Sequence, residues 1–380
     1  MKTIRFGMIG CGLMGREFAS AAARWCHLVA PVARPEIVAV CDTNTDLLPW
    51  YERNFVSIGL ATNDYRELLA WEKVDAVYCA VPHHLHRKLY CDIISAGKHL
   101  LGEKPFGADL EANAAILASI AEHPEVFVRC SSEFPFFPAA QRIGRMIEQD
   151  AFGDLIEVDS GFLHSSDLDP GKAINWKRMV RFNGEYDCLG DLGMHVCHVP
   201  FRAGWAPRNV RAVLSNLVPT RPDGNGKAVP CETWDNATLL CEASTAAGHR
   251  FPWTIRTQRI APGERNTWYI EIHGTRRCAR FSTKNPKRLE VLEYTGGEQA
   301  WQQMDMGYDP AYPAVTGGIF EFGFPDAIQQ MWAAFLAELA GSPAAGMLAT
   351  CVTPAETALS HHLFTAALES QQEGTTVALE

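Results

Sequence analysis

Apolar and polar positions follow two rhythms along this chain, and the change from one to the other divides it. In the first third, short apolar runs at residues 4–9, 36–41, 74–81, 99–102 and 126–131 predict strands, while the stretches between them carry helical spacing. An alanine-rich helix is expected at 18–25, an amphipathic helix at 110–121 ended by Pro124, and another at 139–149 behind Pro135 and Pro138. Strands alternating with helices predict an α/β unit, a doubly wound parallel sheet of the Rossmann kind. Beyond residue 132 the strands lengthen and follow one another through turns, at 155–163, 210–217, 237–242, 254–258, 268–273, 279–283 and 289–294. That pattern predicts an α+β C-terminal domain with a large, mostly antiparallel, open-faced sheet. Helices at 328–339 and 354–370 finish the chain, and the expected division is 1–132 and 133–380.

The turn after the first strand narrows the picture. Gly10-Cys11-Gly12-Leu13-Met14-Gly15 is a G-x-G-x-x-G turn between a strand and a helix, and a second strand ends at Asp42. Gly10 permits the tight turn, Gly12 lets the backbone approach a pyrophosphate, and Gly15 lets the helix pack close to the sheet. The helix then aims free N–H groups at the phosphates. Asp42 is placed to accept hydrogen bonds from the ribose hydroxyls and to repel a 2′-phosphate, which favours NAD over NADP. Its spacing is long, 27 residues after Gly15. Residues 26–35, with two prolines, read as a loop inserted between helix and strand.

Composition excludes more than it selects. With 380 residues, 47% of them hydrophobic and 21% charged, the chain reads as a globular protein of two domains. No apolar stretch is long enough to span a bilayer and the N-terminus enters the first strand directly, so a cytoplasmic protein without a membrane partner is expected. The formal net charge of −10, without a basic stripe, argues against nucleic acid. The twelve cysteines are scattered without a C-x-x-C pair and read as reduced, structural residues.

Two groups of residues carry candidate chemistry. Glu103-Lys104-Pro105 follows the strand at 99–102, at the carboxyl edge of the sheet where ligands bind, so Lys104 should point toward the cofactor crevice. Pro105 holds its predecessor extended. The alternative is a solvated lysine. Asp191-Leu192-Gly193-Met194-His195 puts an acid and a histidine four residues apart, on one helical face, where they can reach one ligand atom or each other. Histidine takes or gives a proton near neutral pH. The alternative is a capping aspartate beside a buried histidine.

Trp176, Lys177 and Arg178 lie in a polar segment before this pair. A Trp face suits a sugar ring and Lys or Arg donates to hydroxyls, although a surface loop with one packed Trp reads equally well. His83, His84 and His86 follow Val81-Pro82, and with His195 and His198 they mimic a metal site. No carboxylate or thiolate partner recurs at ligand spacing, so no metal is expected.

Taken together, Gly10 to Gly15, Val81-Pro82 with His86, Glu103-Lys104-Pro105 and Asp191-Leu-Gly-Met-His195 resemble the glucose-fructose oxidoreductase / inositol dehydrogenase / MocA family along essentially the whole chain. The ending, Ala367 to Ser370 and then Glu373, Gly374 and Val377, resembles the family's closing helix and strand. The resemblance implies an NAD-dependent dehydrogenase acting on a secondary hydroxyl of a sugar, anhydrosugar, glycoside or cyclitol. It implies His195 as proton acceptor, Lys104 as donor to the reacting oxygen and Asp191 as the group orienting a neighbouring hydroxyl. It also implies a cofactor site including Val81, Pro82, His86 and Glu103, and a homodimer or homotetramer formed through the open sheet face. His198 stands where members often carry a second acid. The segment holding Trp176, Lys177 and Arg178 resembles members that oxidise glycosides or anhydrosugars such as levoglucosan. A competing activity is NAD-assisted glycoside cleavage through a transient 3-keto intermediate, for which His164 and Tyr186 are candidate extra bases.

Overall fold

The computed structural model describes residues 1–379. The first region comprises β1 (Lys2–Ile9), α1 (Leu13–Ala23), β2 (Ala33–Cys41), α2 (Leu48–Asn54), β3 (Leu60–Thr62), α3 (Tyr65–Ala70), β4 (Ala76–Cys79), α4 (His86–Ser95), β5 (His99–Gly102), α5 (Leu110–Glu122) and β6 (Val128–Cys130). Its strands form one parallel sheet in the order β3-β2-β1-β4-β5-β6. The order reverses between β1 and β4, which opens a crevice at their carboxyl ends. The end of β1 is buried on both faces, Met8 having no exposure and Ile9 on the opposite face only 4%, as a central parallel strand must be.

Two details differ from the sequence expectation. The edge strand β3 is three residues long and too short to show a period, so Glu103-Lys104-Pro105 follows the fifth strand rather than the fourth. β2 begins at Ala33, so the strand takes the last three residues of the expected loop at 26–35, and a short helical turn at Trp25–His27 opens what remains. Trp25 fastens that turn by donating its indole N–H to the Ala33 carbonyl at 2.9 Å.

The second region follows α6 (Pro138–Glu148): β7 (Leu155–Leu163), α7 (Val180–Asn183), α8 (Met194–Arg202), β8 (Ala206–Pro207), β9 (Asn209–Ser215), β10 (Thr220–Pro222), β11 (Ala228–Pro230), β12 (Asn236–Ser244), β13 (Arg250–Gln258), β14 (Thr267–Gly274), β15 (Arg277–Ser282), β16 (Arg288–Glu293), β17 (Gln302–Asp305), α9 (Phe324–Leu339), α10 (Pro354–Glu373) and β18 (Val377–Ala378). The large sheet runs β17-β16-β15-β14-β7-β13-β12-β9-β18, antiparallel throughout except where β7 meets β13. Alternation along β12 and β13 buries Leu239, Cys241, Trp253 and Ile255 on the inner face. The outer face is mixed rather than simply apolar. Val213 and Leu240 are exposed there, beside ion pairs such as Arg256–Asp159 and Arg280–Glu290.

The end of the chain returns to the first region. α9 lies against α1, with the Trp332 ring 4.6 Å from Phe6 and 5.0 Å from Phe18. Gln329 donates to the Arg24 carbonyl at 2.7 Å. α10 docks on the Glu103-Lys104-Pro105 turn, where His361 Nε2 lies 2.7 Å from the Pro105 carbonyl oxygen. One continuous apolar cluster therefore runs from β1 through α9 to the large sheet. No helix among the described residues is long and apolar enough to cross a membrane.

Candidate active site

A cleft of about 420 Å³ opens between the two regions, with the glycine turn on one wall and Lys104, Asp191 and His195 on the other. Gly10 sits at φ +92°, and a Cβ there would collide with the Ala80 carbonyl. A Cβ at Gly12 would meet nothing within 4 Å, so this position faces open cleft. Gly12 caps α1 without a side-chain hydrogen bond, leaving the first-turn N–H groups aimed into the space beside Leu13 and Met14. Asp42, half-buried at the end of β2, accepts the Cys11 N–H at 2.7 Å and the Asn44 N–H at 2.8 Å. A carboxylate beside the turn, with neither Lys nor Arg in Thr43-Asn44, suits two ribose hydroxyls and opposes a 2′-phosphate. These residues fit an NAD molecule lying across the strand ends.

The carboxyl ends of β4, β5 and β6 form the cleft floor. Val81, Pro82 and His83 line it after β4, and Glu103 and Lys104 after β5. Glu103 is buried and accepts the Tyr78 hydroxyl at 2.7 Å. His86 does not reach the cleft, against expectation. It is fully buried beneath the loop, its Nε2 3.1 Å from the Val81 carbonyl oxygen, and stacked on Tyr90 at 4.7 Å. Burial holds its pKa down at about 3, so it stays neutral and supports Val81 rather than touching a ligand.

Asp191 is the hub of the opposite wall. It lies in a π-helical turn, Leu189–Gly193, that leads into α8. Its Oδ1 accepts Lys104 Nζ at 2.6 Å, and its Oδ2 accepts Lys177 Nζ at 2.9 Å and Arg259 Nη2 at 2.7 Å. Burial alone would raise its pKa, but Lys104, Lys177 and Arg259 together hold it well below the usual carboxylate range. Arg259 follows β13 and is 3% exposed, and no sequence signal near it pointed to the site. Its Nη2 also lies 3.3 Å from Asp187, which extends the network.

Arg178 belongs to that buried network and not to a sugar surface, a correction to the sequence reading. Its side chain is wholly inaccessible, clamped between Asp187 at 3.1 Å and Asp235 at 2.5 Å. Successive residues of this three-residue helical turn fan out around its axis, so Trp176 and Lys177 line the cleft while Arg178 turns inward. Trp176 packs edge-on against His83, ring centres 5.0 Å apart.

His195 faces the cleft from the start of α8, with Nδ1 2.9 Å from Ser132 Oγ. Asp191 and His195 therefore share the cleft, each held by other partners rather than by one another. Burial first, then the Lys104 charge, pushes the His195 pKa well below 6.5, so the ring is neutral at pH 7. Ser132 was invisible in the sequence because it follows β6, far along the chain from His195. His198 turns away from the cleft and meets Glu356 of α10 at 2.8 Å, so it plays the part of a helix-to-helix tie. Tyr186, a candidate extra base, is also removed from the cleft: its hydroxyl bonds Thr365 Oγ1 at 2.6 Å. His164 does line the cleft, and burial lowers its pKa to about 4.

Comparison with known proteins agrees with this geometry. Residues 4–130 match the profile of the oxidoreductase family with an NAD-binding Rossmann fold, the glucose-fructose oxidoreductase / inositol dehydrogenase / MocA family. The match spans the first region, the nucleotide-binding part of that family. Levoglucosan dehydrogenase of Pseudarthrobacter phenanthrenivorans is 26% identical over 306 residues, 77% of this chain and 76% of that one. Glucose-6-phosphate 3-dehydrogenase of Bacillus subtilis is 23% identical over 292 residues, 76% of this chain and 77% of that one. A solved levoglucosan dehydrogenase in complex with NADH and levoglucosan superposes over the full length of both chains with a TM-score of 0.87 at 22% identity, which shows a shared fold. The first region is thus an NAD-binding Rossmann domain of the oxidoreductase type.

Proposed function

We propose that this oxidoreductase removes hydride from a secondary hydroxyl of a sugar, anhydrosugar, glycoside or cyclitol, the carbohydrate being its small-molecule partner. The observation that carries the reading is the convergence of Lys104, Asp191 and His195 on one wall of a cleft whose other wall is the glycine turn. NAD, when bound, supplies the hydride acceptor. Lys104 Nζ has three protons and gives two of them to the Asp191 carboxylate and carbonyl, leaving one for the reacting oxygen. That cation stabilises the developing alkoxide. His195, with Nδ1–H given to Ser132, presents Nε2 as the proton acceptor. Asp191, fixed by three cations, orients Lys104 and a neighbouring hydroxyl. Trp176 and Lys177 provide the sugar platform, and the likeness to levoglucosan dehydrogenase supports an anhydrosugar or glycoside.

In this reading residues 1–132 form the nucleotide-binding domain and 133–380 the domain for substrate binding and assembly, with copies associating through the outer sheet face as a dimer or tetramer. The test is NADH formation at 340 nm with purified protein and NAD against inositols, aldoses, anhydrosugars and glucosides, beside Lys104→Ala. Signal lost in the variant supports a dehydrogenase and gives its substrate class. His164 in the cleft keeps a second reading in view, NAD-assisted glycoside cleavage. Loss of a glycoside without NADH accumulation would replace the first reading with that one.

A further inference from the structure

Two carboxylic acids line the cleft floor, one bonded to another side chain and the other only to its own backbone N–H. Glu103 and Glu133 follow β5 and β6, neighbouring strands paired at Gly102 and Cys130. Both side chains line the cleft, and the residues are 7% and 5% exposed. Glu103 accepts the Tyr78 hydroxyl. No other side chain among the described residues donates to the Glu133 carboxyl. A buried carboxyl held only by its own backbone N–H is costly to ionise unless a ligand meets it or it keeps its proton.

The strand order decides which ligand end lies there. The pyrophosphate site at the start of α1 and Asp42 place the adenosine half over β1 and β2, so the nicotinamide half extends over β4, β5 and β6. The nicotinamide ring is a cation when oxidised and neutral when reduced. We propose that Glu133 is the group that distinguishes oxidised from reduced cofactor, its carboxylate favouring NAD⁺ and its protonated form favouring NADH. Burial first, then the Glu103 charge, brings the Glu133 pKa up to about 7, so the group titrates where the cofactor is used. The groups facing it are Glu103 and Tyr78 from the adjacent strands and Lys104, whose charge pulls the other way. Binding of NAD⁺ at pH 7 then expels a fraction of a proton, and binding of NADH takes up a fraction.

The inference rests on hydride transfer at Lys104 and His195, yet its test uses no sugar, so it fails separately from the substrate reading. Calorimetry of NAD⁺ and NADH binding in buffers of different ionisation enthalpy reads the protons directly, and NADH fluorescence gives Kd at pH 6 and pH 8.5. The expected result is proton release with NAD⁺ and uptake with NADH. The Kd ratio of NADH to NAD⁺ should rise about ten-fold between those pH values, the equivalent of one pKa unit. Glu133→Gln removes both effects and Glu133→Asp restores part of them. No proton linkage in the wild-type protein overturns the proposal. So does an unchanged linkage in Glu133→Gln, or a variant that alters only the KM for sugar.

Discussion

The two walls of the cleft are built by opposite means. The cofactor wall is one contiguous stretch, residues 10–15, where backbone shape does the work and Gly10 and Gly12 leave room for turn and phosphate. The opposite wall draws Lys104 from the end of β5, Lys177 from a loop, Asp191 from a π-helical turn and Arg259 from the end of β13. It is held by ion pairs, and behind it Arg178, Asp187 and Asp235 carry the same network into the interior. A wall made of backbone recognises what is common to all dinucleotides. A wall made of charges from distant segments can set the protonation and direction of individual groups, at the risk of stranding a charge when one partner is lost.

The largest effect that separates the walls should come from His195→Ala. Removing a positioned proton acceptor lowers kcat by about 10²–10⁴-fold, while the NAD dissociation constant stays unchanged. A large change in NAD affinity would merge the two walls. Next, Arg178→Ala leaves Asp187 and Asp235 buried without their cation and should destabilise the fold by about 3–5 kcal/mol, read as a lower denaturation midpoint. The same variant in a direct sugar-contact role would instead raise KM at full stability. Asp42→Ala should weaken NAD binding by about 10–100-fold, the worth of hydrogen bonds to a charged group, and narrow the gap to NADP. An unaltered NAD-to-NADP ratio would remove Asp42 from cofactor selection.

The smallest effect is acid lability. Burial holds His86 at about 3, and His164 and His361 at about 4, against an ordinary 6.5. Each is depressed on folding, so the unfolded chain binds more protons between these values, and stability is complete above about 6.5 and declines as pH falls toward 4. Thermal unfolding between pH 7.5 and 5 should show a falling Tm, and His86→Gln should lessen the slope. A flat profile would mean that these rings are not held neutral.

The comparison also accounts for what could be read in advance. The motif at residues 10–15, Lys104, Asp191 and His195 were legible because each sits beside a local signal: a glycine turn, a proline after a strand end, an acid and a histidine at helical spacing. Arg259, Ser132 and Glu133 carried no such signal, since their partners lie far off in the chain. Arg178 and His86 were misassigned for a related reason. Composition marks a polar side chain as available, and only packing shows whether it turns outward to the cleft or inward to Asp235 or Val81.

Sequence by itself determined the elements and the chemistry of the cofactor end, because strand period, turn glycines and a closing acid act over a few residues through backbone sterics. The tertiary structure decided how α9 and α10 come back to the first region, which cations converge on Asp191, and which buried acid is left facing the cleft. Those outcomes depend on contacts between residues tens to hundreds of positions apart, where burial and charge, rather than local pattern, set the energy.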